Sequence, residues 1–87
     1  MIEVVTKGHT MKFKLEVGIT EQDLTDIAER SRRQSRADLM VANTLEGADS
    51  WALVGPIDGH YERIPRRELA ERLLIEVEKL AGRKPHA

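Results

Sequence analysis

The sequence has 87 residues, of which 40% are hydrophobic and 33% are charged, and its formal net charge is −1. This composition is too apolar for a disordered chain, and the charge gives no overall attraction to nucleic acid or to an anionic membrane. There is no cysteine, which excludes disulfides and thiolate metal sites, and no apolar run approaches the roughly 20 residues of a membrane span, so we expect a cytoplasmic protein without nucleic-acid or membrane partners.

The first part of the chain predicts two strands followed by a helix. Residues 2–5 suit a short strand, and Gly8 suits a turn back to the next one. From residue 11 to residue 17 apolar and charged residues alternate, which is typical of a strand with one packed face. Thr20 is suited to cap a helix, which should end within the arginine-rich stretch 32–36.

The second part predicts a buried strand, a hairpin and a helix. Residues 39–42 form an apolar run that is too short for a helix, so they favour a strand that is covered on both faces. Two further strands, 51–54 and 61–64, are separated by a predicted turn at 55–59. Pro65 should end the last strand. The final helix is predicted from apolar residues at helical spacing, which are Leu69, Ala70, Leu73, Leu74, Val77 and Leu80.

Polar residues end the two strands that flank the first helix. Two successive parallel strands joined by a helix bring their carboxyl ends side by side, and small ligands bind in the crevice beyond those ends. In this chain the residues at that edge would be Glu16, Gly18 and Asn43. The spacing therefore predicts a small-ligand site there. The three histidines share no metal-ligand spacing, so we predict no metal site from them.

Four segments resemble a known family. They are Phe-Lys-Leu-Glu-Val-Gly at 13–18, Ala-Asp-Leu-Met-Val-Ala-Asn at 37–43, Trp-Ala-Leu-Val at 51–54 and Ile-Pro-Arg-Arg-Glu-Leu-Ala-Glu-Arg-Leu-Leu at 64–74. Together they resemble the C-terminal part of the phosphopantothenoylcysteine synthetase domain of the DNA/pantothenate metabolism flavoproteins, which act in coenzyme A biosynthesis. The resemblance implies an α/β fold, a small mixed sheet with two helices equivalent to the C-terminal half of a Rossmann-like domain.

The sequence has no repeats, linkers or low-complexity segments, so we expect one structural unit over residues 1–87. Residues 13–80 are family-like, residues 1–12 form an unmatched N-terminal strand or hairpin, and residues 83–87 form a tail. The chain departs from the family pattern at Val17, where threonine is usual, and at Thr44, where an acid is usual. The family's N-terminal half and its lysine-rich flap have no counterpart here, so catalysis by this chain alone is not expected and no catalytic residue is assigned.

In the family this part of the domain carries much of the nucleotide site, where CTP activates the carboxylate of 4'-phosphopantothenate before cysteine attacks. The resemblance therefore implies binding of CTP and Mg²⁺ in a ligase-like fragment or subunit. The implied nucleotide contacts are Lys14, Glu16, Gly18, Asn43 and Arg66. The implied partners are the nucleotide and either a second copy of the chain, as a dimer or other homo-oligomer, or a complementary synthetase half.

Each of these residues also has a purely structural interpretation. Asn43 could form a turn by bonding the backbone, and Lys14 with Glu16 could be a solvated pair. Trp51 could be core packing rather than a base-stacking platform. The alternative function is a non-catalytic dimerisation or partner-binding module that keeps the family scaffold. A domain of this size is marginally stable, and we expect apolar surface to remain on the hairpin 51–64 and at Ile75, which favours self-association.

Overall fold

Five strands form one mixed sheet whose spatial order follows the chain. A computed structural model describes residues 2–6 and 8–82. The strands are β1 Ile2–Thr6, β2 His9–Glu16, β3 Leu39–Thr44, β4 Trp51–Ile57 and β5 His60–Pro65. β2 and β3 pair in parallel, and the other neighbours pair antiparallel. The predicted small mixed sheet and the parallel pairing of its β2 and β3 strands are confirmed.

The two helices begin and end close to the predicted positions. The first helix, α1, spans Glu21–Ser35, and the side chain of Thr20 caps it by accepting a 3.1 Å hydrogen bond from the backbone N–H of Asp23. Arg36 ends it in a left-handed conformation with φ of 57°. A 3-10 turn over Arg66–Glu68 leads into the second helix, α2, which spans Leu69–Gly82. Neither helix of the described ranges is long and apolar enough to cross a membrane.

The helices cover opposite faces of the sheet, which makes three layers. Successive residues of a strand point to opposite faces, so the apolar run in β3 serves two cores. The α1 core contains Leu24, Ala28, Met40, Ala42 and Leu53. The α2 core contains Met11, Leu39, Val41, Ala52, Val54, Ile57, Ile64, Leu69 and Val77. The prediction that β3 is covered on both faces is therefore confirmed.

The β4–β5 hairpin differs from the prediction in its turn. β4 continues to Ile57, past a register shift between Val54 and Ile57, so the turn is only Asp58 and Gly59. Both turn residues have positive φ, 52° and 86°, as a two-residue hairpin turn requires. The irregularity takes Pro56, which has no N–H to donate, out of the regular ladder. β4 therefore extends through Pro56 to Ile57, beyond the end at residue 54 that the sequence predicted.

The exposed apolar surface is not where the sequence suggested. We expected it on the hairpin, but Leu53, Val54 and Ile64 are buried because a helix covers each face of β4. Ile75 is exposed as expected, whereas Leu74, assigned to the buried stripe of α2, is 61% exposed. The covered face of α2 is narrower than the stripe predicted from the sequence. The predicted tail at 83–87 lies outside the described residues.

Candidate functional site

The parallel pairing of β2 and β3 places their carboxyl ends side by side. Leu15 is paired with Asn43 and Glu16 with Thr44 in the register of the two strands. Lys14 lies one residue pair earlier, opposite Ala42. Two of the residues predicted to bind nucleotide, Glu16 and Asn43, therefore lie at the same end of the sheet.

Two loops meet at this end of the sheet and are hydrogen-bonded to each other. Gly18 lies in the loop between β2 and α1 with φ of 71°, and its backbone N–H donates to the carboxylate of Glu46, 3.2 Å from Oε2. Glu46 belongs to the loop between β3 and β4. In the same place the N–H of Leu45 donates to the carbonyl of Glu16 at 2.8 Å. The Gly18 amide is thus at the predicted site and holds an internal carboxylate.

Lys14 and Glu16 form an ion pair on one face of β2. The distance from Lys14 Nζ to Glu16 Oε2 is 3.1 Å, and both side chains are partly buried. Because exposed and half-exposed pairs contribute little free energy, a phosphate group can compete for the lysine at small cost. Lys14 and Glu16 are therefore paired with each other, as in the structural interpretation, and the pair lies next to the carboxyl end of β2.

The side-chain amide of Asn43 is oriented by the backbone of the next strand. Its Nδ2 donates a hydrogen bond to the carbonyl oxygen of Trp51. With the amino group used in this way, the atom of this side chain suited to accept a hydrogen bond from a ligand is the carbonyl oxygen, Oδ1. Asn43 lies inside β3, so it does not form the turn that we considered for it. Its amide bonds the backbone of β4 instead, and Oδ1 and the second N–H of the amino group remain.

Arg66 reaches the same end of the sheet through β5. Trp51 and Pro65 are paired between β4 and β5, and the N–H of Arg66 donates to the carbonyl of Ser50 at 2.8 Å. The side chain is exposed, and no carboxylate of the described residues forms an ion pair with its guanidinium. We call Lys14, Glu16, Gly18, Asn43 and Arg66 together the carboxyl-end site. All five lie at or near one end of the sheet. The side chains of Lys14 and Glu16 project from the face that α1 covers, whereas Asn43, which is paired with Leu15, projects from the opposite face.

Trp51 lies at the same end but is engaged in packing. Its indole ring rests on Gly47, where an added Cβ would lie 2.7 Å from Cζ2, and the guanidinium of Arg63 lies 4.9 Å from the ring centroid. Arg63 also pairs with Glu21 at the start of α1, at 3.3 Å. Because the Trp51 ring packs on Gly47 of the β3–β4 loop and lies next to Arg63, it helps to position that loop. Trp51 thus has the packing role that we considered for it.

A second polar region was not foreseen from the sequence. An open groove of about 800 Å³ lies between α1 and the tip of the β4–β5 hairpin. The carboxylate of Glu29 accepts hydrogen bonds from the Tyr61 hydroxyl at 2.9 Å, from Arg32 at 2.7 Å and from Arg33 at 2.9 Å. We call this region the Glu29 groove. The spacing of Glu29 from Arg32 and Arg33 on the helix was visible in the sequence, but the contact with Tyr61 depends on tertiary structure.

The electrostatics of the Glu29 groove follow from these contacts. The hydrogen bond from Arg32 is the main reason why the pKa of Glu29 falls to about 2 from its ordinary 4.5. Burial, with the hydrogen bond to Glu29, raises the pKa of Tyr61 above its usual range. The tyrosine therefore stays protonated and the glutamate ionised at neutral pH. Among the described residues no cluster of three or more histidine, aspartate or glutamate side chains is arranged to hold a metal ion.

Comparisons with known proteins support the resemblance seen in the sequence. The chain matches no family model. It is 40% identical over 73 residues to the coenzyme A biosynthesis bifunctional protein CoaBC of Thermococcus kodakarensis, an alignment that covers 78% of this chain and 18% of that protein. Its fold matches the crystal structure of the DNA/pantothenate metabolism flavoprotein from Streptococcus pneumoniae with a TM-score of 0.71 and 34% identity.

The structural match covers 80% of this chain and 32% of the flavoprotein chain. The chain thus spans about a fifth of the curated relative and about a third of the solved one. Sequence identity and fold agree on the same relationship, which the motifs in β2 and β3 had indicated. The chain is related to the DNA/pantothenate metabolism flavoproteins and corresponds to the C-terminal part of their phosphopantothenoylcysteine synthetase domain.

Proposed function

We propose that this chain is the CTP-binding part of a phosphopantothenate–cysteine ligase-like protein in coenzyme A biosynthesis, and that residues outside the chain complete the catalytic site. The observation that supports the proposal is that Glu16 and Asn43 lie at the carboxyl ends of the parallel strands β2 and β3, with the Gly18 amide in the adjoining loop. Arg66 follows β5 at the same end of the sheet, two strands away from β3. The carboxyl ends of parallel strands are the place where open α/β sheets bind small ligands. The relationship to a coenzyme A biosynthesis protein supports a role in that pathway, and the choice of CTP as the ligand rests on the resemblance of the β2 and β3 segments to the synthetase family.

The available polar atoms suggest a division of roles. The guanidinium of Arg66 suits the phosphates, because its planar donors match phosphate oxygens in pairs. Lys14 adds a positive charge once a phosphate competes with Glu16 for it. The Oδ1 atom of Asn43 suits an amino group of the base, which cytosine has and uracil lacks. The site is small, and these contacts are few.

Mg²⁺ fits this arrangement as a companion of the nucleotide. The ion prefers oxygen ligands and usually binds through one or two carboxylates together with substrate phosphates. The carboxylates of Glu16 and Glu46 lie at this end of the sheet, and Glu46 already contacts the amide of Gly18. When bound, the ion would neutralise phosphate charge that the two nearby acids would otherwise repel.

Equilibrium binding measured by calorimetry tests the proposal. With Mg²⁺ present we expect CTP to bind with a Kd between roughly high-micromolar and millimolar, because much of the family's site is absent. UTP should bind more weakly than CTP. Arg66→Ala should weaken binding several-fold, whereas Arg67→Ala is the matched control, since the Arg67 guanidinium already lies 3.8 Å from Glu68. Absence of heat with saturating CTP, or equal loss in both arginine variants, would contradict the proposal.

The second candidate is a dimerisation or partner-binding module. The observation in its favour is the exposed apolar side chains away from the carboxyl-end site, on β1 and α2, which include Val5, Leu74 and Ile75. A chain that binds no nucleotide but self-associates would support this candidate in place of the first. Sedimentation together with the calorimetric titration separates the two.

A further inference from the structure

The backbone N–H of Gly18 is in contact with an acid from another loop. Both carboxylate oxygens of Glu46 lie near this nitrogen, Oε2 at 3.2 Å and Oε1 at 3.4 Å. Backbone N–H groups usually lie about 2.9–3.0 Å from their acceptors, so this contact is long. Both residues are exposed, and a long hydrogen bond in water contributes little free energy. Another acceptor can therefore take the place of the Glu46 carboxylate.

The loop between β3 and β4 is held without the Glu46 side chain. The N–H of Leu45 donates to the carbonyl of Glu16 at 2.8 Å, and the N–H of Gly47 donates to the hydroxyl of Thr44 at 3.1 Å. Leu45 and Gly47 are the sequence neighbours of Glu46, so the backbone is fixed on both sides of this residue. The Glu46 side chain can therefore leave Gly18 while the loop keeps its conformation.

The surroundings of the Gly18 amide suit an anionic ligand. Gly18 has φ of 71°, and a Cβ built on it would meet no atom within 4 Å, so the space beside it is open. The helix α1 begins shortly afterwards, at Glu21, and the amino end of a helix carries partial positive charge. Carboxylate and phosphate oxygens are similar acceptors for a backbone N–H. Glu46 thus supplies an internal anion to a donor that is otherwise open to a ligand.

We propose that the Glu46 carboxylate is an internal competitor for the anionic group of a ligand at the carboxyl-end site. The inference concerns regulation of that site and rests on the proposed function for the identity of the ligand. A phosphate has to displace the carboxylate from the Gly18 amide and is repelled by its charge. The measured affinity is then lowered in proportion to the fraction of molecules in which the amide is free. Mg²⁺ reduces this competition, because a cation between two anions weakens their repulsion.

Two substitutions in the same loop test the competition. Glu46→Gln keeps a carbonyl oxygen that can accept from Gly18 but removes the charge, and a neutral acceptor binds an N–H less strongly than a carboxylate does. Asp49→Asn is the matched control, since it removes the same charge from an exposed residue of the same loop. Because both residues are exposed, neither change should disturb the fold, and circular dichroism checks this.

The binding of CTP without Mg²⁺ should distinguish the two variants. We follow the shift of the Gly18 amide by NMR and expect the Kd for CTP to fall about three- to tenfold in Glu46→Gln. Asp49→Asn should change the Kd by less than about twofold, since salt screens a charge that makes no contact with the amide. With Mg²⁺ present, the gain in Glu46→Gln should be smaller. Equal gains in both variants, or weaker binding by Glu46→Gln, would overturn the competition and leave the proposed function standing.

The same titration with inorganic pyrophosphate separates this inference from the proposed function. Pyrophosphate carries the phosphate charge without a base, so its binding does not require a nucleotide site. We expect it to shift the Gly18 amide at a lower concentration in Glu46→Gln than in the unmodified chain. That result together with no binding of CTP would support the competition and contradict the proposed function. A Gly18 amide that pyrophosphate moves in neither protein would overturn the competition.

Discussion

The carboxyl-end site and the Glu29 groove differ in how far their polar groups are already used. In the groove the Glu29 carboxylate accepts from three side chains at 2.7 to 2.9 Å. At the carboxyl end the Gly18 amide reaches Glu46 only at 3.2 Å, and the Arg66 guanidinium has no ion-pair partner among the described residues. A ligand in the groove would have to break strong contacts. The groove has the volume of a binding site, but the carboxyl end has the available donors.

The two regions also share a device, an aromatic ring packed on a buried glycine. A Cβ on Gly47 would lie 2.7 Å from Cζ2 of Trp51, and a Cβ on Gly55 would lie 2.7 Å from Cγ of Tyr61. Both rings help to position a loop or a strand next to the region concerned. The carboxyl-end site therefore has polar groups available to a ligand, whereas the Glu29 groove uses its polar groups in contacts between α1 and β5. In both regions an aromatic ring packed on a glycine supports the arrangement.

The largest expected effect comes from filling these two glycine positions. Gly47→Ala and Gly55→Ala should each lower the free energy of unfolding by about 1–3 kcal/mol, because the ring above must move. Urea denaturation measures the change. Gly82→Ala is the control, since a Cβ there meets no atom within 4 Å.

The same pair of variants separates the regions. If the carboxyl end is the nucleotide site, Gly47→Ala should also weaken CTP binding, because it displaces Trp51 and with it the carbonyl that orients Asn43. Gly55→Ala should leave CTP binding unchanged in the folded protein. The opposite result would assign the ligand to the Glu29 groove.

A comparable effect on stability is expected from substitution of Glu29, and it depends on pH. The folded-state pKa of about 2 lies below the ordinary 4.5, so the ionised carboxylate stabilises the fold fully above about pH 4.5 and loses this effect as the pH falls towards 2. Glu29→Gln should cost about 1–3 kcal/mol at neutral pH, since Arg32 and Arg33 lose the negative charge of Glu29 and one of its two acceptor oxygens. Thermal denaturation from pH 2 to pH 7 should show a shallower acid dependence in the variant. Parallel curves would mean that the contacts in the groove contribute little to stability.

The smallest effect is expected at the ion pair between Glu21 and Arg63. The two side chains are 3.3 Å apart and largely exposed, and such pairs contribute about 0.2–1 kcal/mol. Glu21→Gln should therefore reduce stability only slightly, and added salt should remove the difference. A loss of stability as large as that of Glu29→Gln would contradict the expected difference between the half-buried carboxylate of Glu29 and the exposed carboxylate of Glu21.

The sequence was informative where local pattern decides the structure. Alternation in β2, the apolar run of β3 and the Thr20 cap of α1 predicted the strand–helix–strand unit, and the carboxyl ends of β2 and β3 lie side by side as predicted. The extension of β4 beyond Gly55 could not be predicted, because it depends on an irregularity that takes Pro56 out of the ladder. The exposure of Leu74 depends on where α2 lies across the sheet.

The candidate site was predicted in position but not in its contacts. Asn43 donates a hydrogen bond to Trp51, and the Glu46 carboxylate accepts one from the Gly18 amide. Both contacts depend on loop conformations that local propensity does not determine. The Glu29–Tyr61 contact joins residues 32 positions apart and leaves no periodic signal. Contacts of this kind are decided by packing, so a sequence pattern can indicate where a site lies and leave open which of its atoms are free.

The most direct test of the central claim is a titration of the nitrogen-15-labelled chain with CTP and Mg²⁺, followed through backbone amide shifts. The carboxyl-end account predicts that the amides of Gly18, Asn43 and Arg66 move together and saturate with one affinity, and that Asn43→Ala abolishes these shifts in a folded protein. Shifts centred on Glu29 and Tyr61, or no shift at the carboxyl end at saturating CTP, would contradict it.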